Sequence, residues 1–454
     1  MLTLPAVVVA ASLIRTSLEL SGKAFHVTDF HYDADYSRDG DPNHYCHKQE
    51  AGSARRPQNS TSRLGRFGDF RCDTPLELVR AVVQKMSEVE PDPDFVFWTG
   101  DTYPHLPNDM YDTAKTVDAL ATVTAELRYG FRGVATIPVL GNHDYHPSDR
   151  HPDTGNTLYR AVGDLWKEWI GDRREVETLR SHGYYERRLA PGLTSLNLNT
   201  NLYYRHNKVV HRFPDDPGRQ LEWLRQRLQR ATDRGDRVVL TSHVSPGVPE
   251  RDFKGLAWFH PPFNDRYVDL LVEFSGTIAL QLYGHTHSDA FYLVKDNDGR
   301  VVGFFLNAPA VNPWNAETNP AFRLLEQWYL NLTAANLEDE ASAHWSEEYN
   351  FQEAYGLEPP LTATKFDQLY ERLRTEPETL EKFHGFNSAM LRRKRPHCDD
   401  RCRLSYLCAM GHLRYDQYLR CFEGTEATAA GGCLPSLTAA VAAFVATLFV
   451  VNRL

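Results

Sequence analysis

No long block of lysine and arginine occurs in this 454-residue chain, whose longest basic run is the four residues 392–395; 50 basic residues are set against 60 acidic ones, for a net charge of −10. A protein that wraps a nucleic-acid polymer needs a positive surface to neutralise phosphates, so no such partner is expected. Low-complexity tracts and internal repeats are also missing, which leaves one large folded domain with appendages, or two domains. None of the seven cysteines has the CxxC spacing of a zinc knuckle. Long apolar runs are confined to the two ends of the chain.

Those ends point to export. Leu2 to Ile14 is almost wholly apolar and gives way to polar sequence at Arg15, as in the core of a signal peptide, here assigned to residues 1–22. At the other end, small residues from Gly424 to Gly432 precede an uncharged apolar stretch, Leu434 to Val451. That order matches a glycolipid-anchor signal, removed from residue 423 onward, and a membrane span is the alternative. Either reading puts the folded part outside the cell or in a lumen. There, six cysteines can form three bridges in fifteen connectivities. Local pairing favours Cys46 with Cys72, Cys398 with Cys402 and Cys408 with Cys421, leaving Cys433 in the tail. Asn59 and Asn331 head N-glycosylation sequons.

From residue 24 to about 310, short apolar strands alternate with amphipathic helices. Strands are expected at Ala24–Thr28, Phe95–Thr99, Thr136–Leu140, Leu193–Leu198, Arg237–Thr241, Ile278–Tyr283 and Val301–Leu306. Helices are expected at Pro75–Glu90, with Thr74 as N-cap, and at Pro217–Arg234, with Leu221, Leu224 and Leu228 on one stripe. This alternation argues for an α/β domain, assigned to residues 23–335. Residues 33 to 73 read as a long, loop-rich excursion fixed by a Cys46–Cys72 bridge. After about residue 335 the strand signal fades, and residues 336–422 are expected to form a small helical subdomain.

Five short segments follow predicted strands and carry metal-binding groups: Thr28-Asp29-Phe30-His31, Thr99-Gly100-Asp101, Gly141-Asn142-His143-Asp144, Ser242-His243 and Tyr283-Gly284-His285-Thr286-His287. Ligands of α/β sheets sit beyond the carboxyl ends of the strands, so these segments can converge. Asp29, His31, Asp101, Asn142, His243, His285 and His287 offer oxygen and imidazole without thiolate, a set suited to zinc, manganese or iron. Seven such groups exceed one tetrahedral ion and suit two ions sharing a carboxylate. Each element alone is weak; their ordered recurrence after apolar strands is not. Glycine before Asp101, Asn142 and His285 is expected to permit tight turns.

The ordered set D-x-H, G-D, G-N-H-D, a lone histidine and G-H-T-H resembles the calcineurin-like metallophosphoesterases. The stretches FVFWTGDTYPH, VLGNHDYHP, LNTNLYY, NPAFRL and EAYGL, with the late cysteines, resemble the acid sphingomyelinase-like phosphodiesterases among them. The resemblance implies a four-layer sandwich of two sheets flanked by helices. It implies two zinc ions, one held by Asp29, His31 and His287, the other by Asn142, His243 and His285, with Asp101 between them. It also implies hydrolysis of a phosphodiester by a hydroxide held at that pair. His143, beside a ligand but free of one, is then the first candidate for general acid or charge stabiliser, with Asp144 orienting its ring. His105 is the second candidate for the leaving group, and His146 is structural.

The tyrosine that purple acid phosphatases place three residues after the bridging aspartate is Pro104 here, which argues against that phosphomonoesterase chemistry. Asp29 follows closely on the leader, so no saposin-type lipid-extracting domain is expected ahead of it. That favours small nucleotide or choline phosphodiesters, with sphingomyelin-like lipid as a further substrate. The alternatives are a phosphomonoesterase and a non-catalytic surface protein that binds lipid or a receptor. A monomer on the extracellular face of the membrane is expected, with the lysosome or the secreted fluid as other destinations.

Overall fold

The computed structural model describes residues 22–48, 63–209, 215–251, 256–314, 318–323, 326–337, 344–358, 360–391 and 398–429. The leader, Asn59, Cys433 and the apolar tail lie outside them. Among the described residues thirteen strands run in chain order: β1 Ala24–Val27, β2 Tyr36–Asp41, β3 Phe95–Trp98, β4 Ala135–Pro138, β5 Tyr185–Ala190, β6 Leu193–Asn197, β7 Arg237–Thr241, β8 Ile278–Tyr283, β9 Ala290–Lys295, β10 Val301–Asn307, β11 Ala321–Arg323, β12 Glu326–Leu330 and β13 Trp345–Asn350. The helices are α1 Leu76–Val89, α2 Thr113–Gly130, α3 Thr157–Ile170, α4 Arg173–His182, α5 Gln220–Arg234, α6 Pro261–Glu273, α7 Leu332–Leu337, α8 Phe351–Tyr355, α9 Ala363–Thr375, α10 Pro377–Asn387, α11 Asp400–Gly411 and α12 Tyr415–Ala429. No described helix is long and apolar enough to cross a membrane.

Two six-stranded sheets form, in the orders β13-β12-β11-β1-β3-β4 and β5-β6-β7-β8-β10-β9. The strands that lead into the metal-binding segments all belong to parallel pairs: β1, β3 and β4 in one sheet, β7 and β8 in the other. Alternation along β3 explains the layers. Val96 and Trp98 pack with Leu78, Val82, Leu120 and Trp166 of α1, α2 and α3. Phe97 turns the other way and packs with Leu196 and Leu240 of the second sheet. That sheet is covered in turn by Leu221, Leu224 and Leu228 of α5, by Val268 and Leu271 of α6, and by Phe366 of α9. Buried side chains thus fill three interfaces between four layers.

Two expectations are corrected. Thr74 does not cap α1: Pro75 occupies the cap position without a side-chain bond. Thr74 instead donates its N–H to the His31 carbonyl at 3.0 Å and accepts from the Asp33 N–H at 2.9 Å, which ties the entry of α1 to the segment after β1. The strand signal also does not end at residue 335, because β13 pairs antiparallel with β12. Its sequence, Trp-Ser-Glu-Glu-Tyr-Asn, is too polar to announce a sheet edge.

Disulfides join Cys46–Cys72, Cys398–Cys402 and Cys408–Cys421. The C-terminal helices sit on a buried polar knot. Glu250, fully buried, accepts from Ser288 Oγ at 2.6 Å, from Asn387 Nδ2 at 3.0 Å and from the Tyr292 hydroxyl. Asn387 also donates to the Asp289 carbonyl at 2.9 Å, and its Oδ1 accepts from Tyr406 at 2.9 Å. Both carboxylate oxygens of Glu250 and both amide atoms of Asn387 therefore have a partner, as burial demands. The loop that follows His287 is pinned directly to α10 and, through Asn387, to Tyr406 of α11.

Candidate metal centre

The strand ends converge as the topology requires. Asp29 and His31 leave β1, Asp101 leaves β3, Asn142 leaves β4, His243 leaves β7, and His285 and His287 leave β8. Around one point, Asp29 Oδ1 lies 3.2 Å from His287 Nε2 and 3.6 Å from His31 Nε2, and the two imidazole nitrogens are 3.2 Å apart. Around a second, His243 Nε2 lies 3.1 Å from Asn142 Oδ1 and 3.1 Å from Asp101 Oδ2, with a His285 nitrogen in the same cluster. Asp101 Oδ2 also lies 3.5 Å from His31 Nε2, so this carboxylate stands between the two groups.

The donor set fits metal cations. Separations near 3.3 Å are about the edge of a tetrahedron with bonds of about 2.0–2.1 Å. Asp29 Oδ2 is used by Thr28 Oγ1 at 2.7 Å and by the His285 N–H at 3.0 Å, while Oδ1 is buried without a hydrogen-bond partner. His285 Nε2 is likewise buried and unpartnered. Groups outside the cluster orient the ligands: the Tyr103 carbonyl holds His31 Nδ1 at 2.8 Å, the Thr99 carbonyl holds His243 Nδ1 at 2.7 Å, and Asp149 accepts from Asn142 Nδ2 at 3.0 Å, turning the amide oxygen inward.

Electrostatics agree. Burial pushes the Asp29 and Asp101 carboxyls up, but the facing imidazoles, His287 for Asp29 and His243 for Asp101, outweigh it and hold both well below the usual range. His243 is raised to about 9, since Asp101 overcomes the effect of burial. A cation there would displace that proton. His285 is lowered to about 3 by burial and by His243.

The backbone is bent to make this happen. Asp29, His31, Asp101, His285 and His287 all have left-handed φ, between 41° and 70°, a conformation that costs non-glycine residues about 1 kcal/mol or more each and clusters at functional sites. Of the three preceding glycines, only Gly100 has positive φ, at 93°. The other two are needed for room: a Cβ on Gly141 would lie 2.0 Å from Asp101 Oδ1, and one on Gly284 would lie 2.1 Å from Thr28 Oγ1.

His105 and His143 border the cluster. The His105 ring stacks on His31 at 3.8 Å and meets His143 edge-on at 4.5 Å. Asp73, which nothing in the sequence marks, accepts from the His105 N–H at 2.7 Å and pairs with its Nδ1 at 2.8 Å. Burial lowers the His105 pKa, and Asp73 more than restores it, so the net shift is upward. His143 donates its backbone N–H to Asp101 Oδ1 at 2.8 Å. Its half-buried imidazole lies well below its ordinary pKa, held there by desolvation against the pull of Asp101, and its buried Nδ1 has no partner. Asp144 does not orient that ring. It accepts instead from the N–H groups of Thr102, Tyr103 and Gly141 at 2.7, 3.2 and 2.9 Å, locking the Asp101 loop to the Asn142 loop. His146 stands apart, against Tyr111. Aromatic walls unmarked in the sequence flank both ends: Trp314 lies 5.3 Å from His105, and Trp258 and Tyr204 lie 4.4 and 4.9 Å from His285.

The calcineurin-like phosphoesterase profile matches residues 22–289, and the acid sphingomyelin phosphodiesterase C-terminal region matches residues 310–428. This chain is a calcineurin-like phosphoesterase of the acid sphingomyelinase-like group. Human acid sphingomyelinase-like phosphodiesterase 3b is 32% identical over 90% of this chain and 91% of its own length. The cyclic GMP-AMP phosphodiesterase SMPDL3A of Bos taurus is 31% identical, over 88% and 91%. A dimetal phosphatase from Danio rerio superposes with a TM-score of 0.39 at 18% identity, covering 68% of this chain and 92% of that one. Membership makes the protein a hydrolase of phosphoric ester bonds.

Proposed function

We propose that the protein is a zinc-dependent phosphodiesterase of the exported pathway that cleaves small nucleotide or choline phosphodiesters. The observation that carries the reading is the position of Asp101, whose single carboxylate stands between two imidazole clusters. Asp29, His31 and His287 would hold one zinc, and Asn142, His243 and His285 the other. Two such ions neutralise charge on a phosphoryl group and activate water for in-line attack.

The remaining work falls to the chain itself. Asp73 accepts from His105 Nδ1–H and favours the imidazolium form, whose Nε2–H would give the departing alkoxide its proton. His143, neutral, donates a hydrogen bond to charge that develops on the phosphoryl oxygens. Trp258, Tyr204 and Trp314 supply apolar walls for the two substituents of a diester, a shape a monoester would half fill.

Three disulfides fit an oxidising compartment. The leader at 1–22, a catalytic domain at 23–335, a C-terminal subdomain at 336–422 and a glycolipid-anchor signal from 423 complete the proposal. Asn331 is an exposed glycosylation site, Asn59 a second, and the working form is a monomer on the extracellular face of the membrane.

Turnover of bis-p-nitrophenyl phosphate against p-nitrophenyl phosphate, with zinc content measured on the same sample, tests the activity. Preference for the monoester makes the protein a phosphomonoesterase. Two bound zincs with no turnover of either point to a non-catalytic lipid or receptor binder. Release from cells by a phosphatidylinositol-specific phospholipase tests the anchor.

A further inference from the structure

A second polar concavity lies away from the metal centre. It has a volume of about 410 Å³ and is lined by the end of α2 and the segment after it, by α3 and by β5. Ala135, which starts β4, is on its wall, whereas Asn142 follows the other end of that strand. Seven residues of extended chain separate them, a span on the order of 20 Å.

Three arginines line this cavity: Arg128, Arg132 and Arg187. Their only carboxylate there is Glu168, which faces Arg128 Nη1 at 3.3 Å. Arg128 also donates to the Leu165 carbonyl at 2.8 Å, and it lies in the last turn of α2, where a cation complements the helix dipole. Its presence is therefore explained by the fold, although its Nε is buried without a partner.

Arg187 has no such explanation. It projects from an edge strand, makes no ion pair among the described residues, and buries Nε and Nη1 with no hydrogen-bond partner. Burial pushes its pKa down, which marks an uncompensated cation. Arg132 has no acidic partner among the described residues either; its guanidinium rests over the Tyr129 ring at 5.4 Å. A buried guanidinium nitrogen without an acceptor is costly, and a bound anion removes that cost. Guanidinium forks match the paired oxygens of a phosphate.

We propose that this arginine-lined cavity is a second binding site for a phosphate group, free or as a monoester, separate from the metal centre. Trp169 closes one side, with the Arg128 guanidinium over its ring at 5.0 Å.

Equilibrium dialysis of the metal-loaded full chain against labelled inorganic phosphate tests this. Wild type is expected to bind one phosphate per chain more than Arg187→Met or Arg132→Gln, while both variants hydrolyse bis-p-nitrophenyl phosphate as wild type does. Arg132 is exposed, so its variant stays informative should Arg187→Met fail to fold. Equal stoichiometry in wild type and Arg132→Gln overturns the proposal. Phenyl phosphate in a parallel arm separates the sources: tighter binding than phosphate identifies a monoester site, and equal or weaker binding a site for the free anion.

Discussion

His105 Nδ1 and Asp73 Oδ1 lie 2.8 Å apart at the rim of the metal cluster. The pair sets which nitrogen of the imidazole is available, and it does so from a residue outside the recognisable motifs. Asp73→Asn should lower kcat for bis-p-nitrophenyl phosphate by about 10–100-fold, with KM and metal content little changed. Steady-state kinetics beside metal analysis reads this directly. An equal loss of metal would show that Asp73 supports the cluster and not the proton.

Asp101 stands between two ligand groups, so its removal should empty both. Metal analysis of Asp101→Asn is expected to give less than one ion per chain, against two for wild type, with kcat down by about 10³-fold or more. Loss of one ion alone would mean that the two groups bind independently.

Room beside that carboxylate is as necessary as the carboxylate. In Gly141→Ala the new Cβ meets Asp101 Oδ1 at 2.0 Å and the Asp101 nitrogen at 2.3 Å. Urea denaturation should report a loss of about 3 kcal/mol, and metal content should fall with it. Gly276→Ala, whose Cβ meets nothing within 4 Å, is the control.

Stability should also depend on pH through Glu348. Burial pushes this carboxyl up to about 8, although its hydrogen bond from Gln327 and the charge of Arg323 pull the other way. The folded chain then holds a proton that the unfolded chain releases near pH 4.5. The stabilisation is complete below that value and is lost as pH rises through about 8. Glu348→Gln keeps the amide-like form throughout, so its advantage over wild type in urea melts should grow from pH 5 to pH 8, by about 1–3 kcal/mol. A constant difference would place the proton elsewhere.

The centre could be read in advance because each of its ligands follows a short, largely buried strand. Phe95–Trp98 and Ile278–Tyr283 are mostly buried runs; the first reaches Gly100 and Asp101 after Thr99, and the second passes directly to Gly284 and His285. What escaped notice escaped for physical reasons. The edge strand β13 and its neighbour β12 carry Glu, Gln, Ser and Asn, since the border of a sheet need not be apolar on both faces. Asp73 is brought to His105 only by folding, across 32 positions, and no spacing rule spans a loop of that kind. Asp144 was expected to serve its neighbour His143; it serves three N–H groups of two loops instead, because a buried carboxylate collects the donors that surround it.

The Glu250–Asn387 contact has a consequence for inheritance. The two matched family regions meet in a knot where Glu250 belongs to one, Asn387 to the other, and Asp289 sits beside the ligand His287. Grafting the C-terminal region of a relative onto this catalytic region would have to reproduce that knot or leave a carboxylate stranded in the interior. The two regions are expected to travel through evolution as a single unit of exchange.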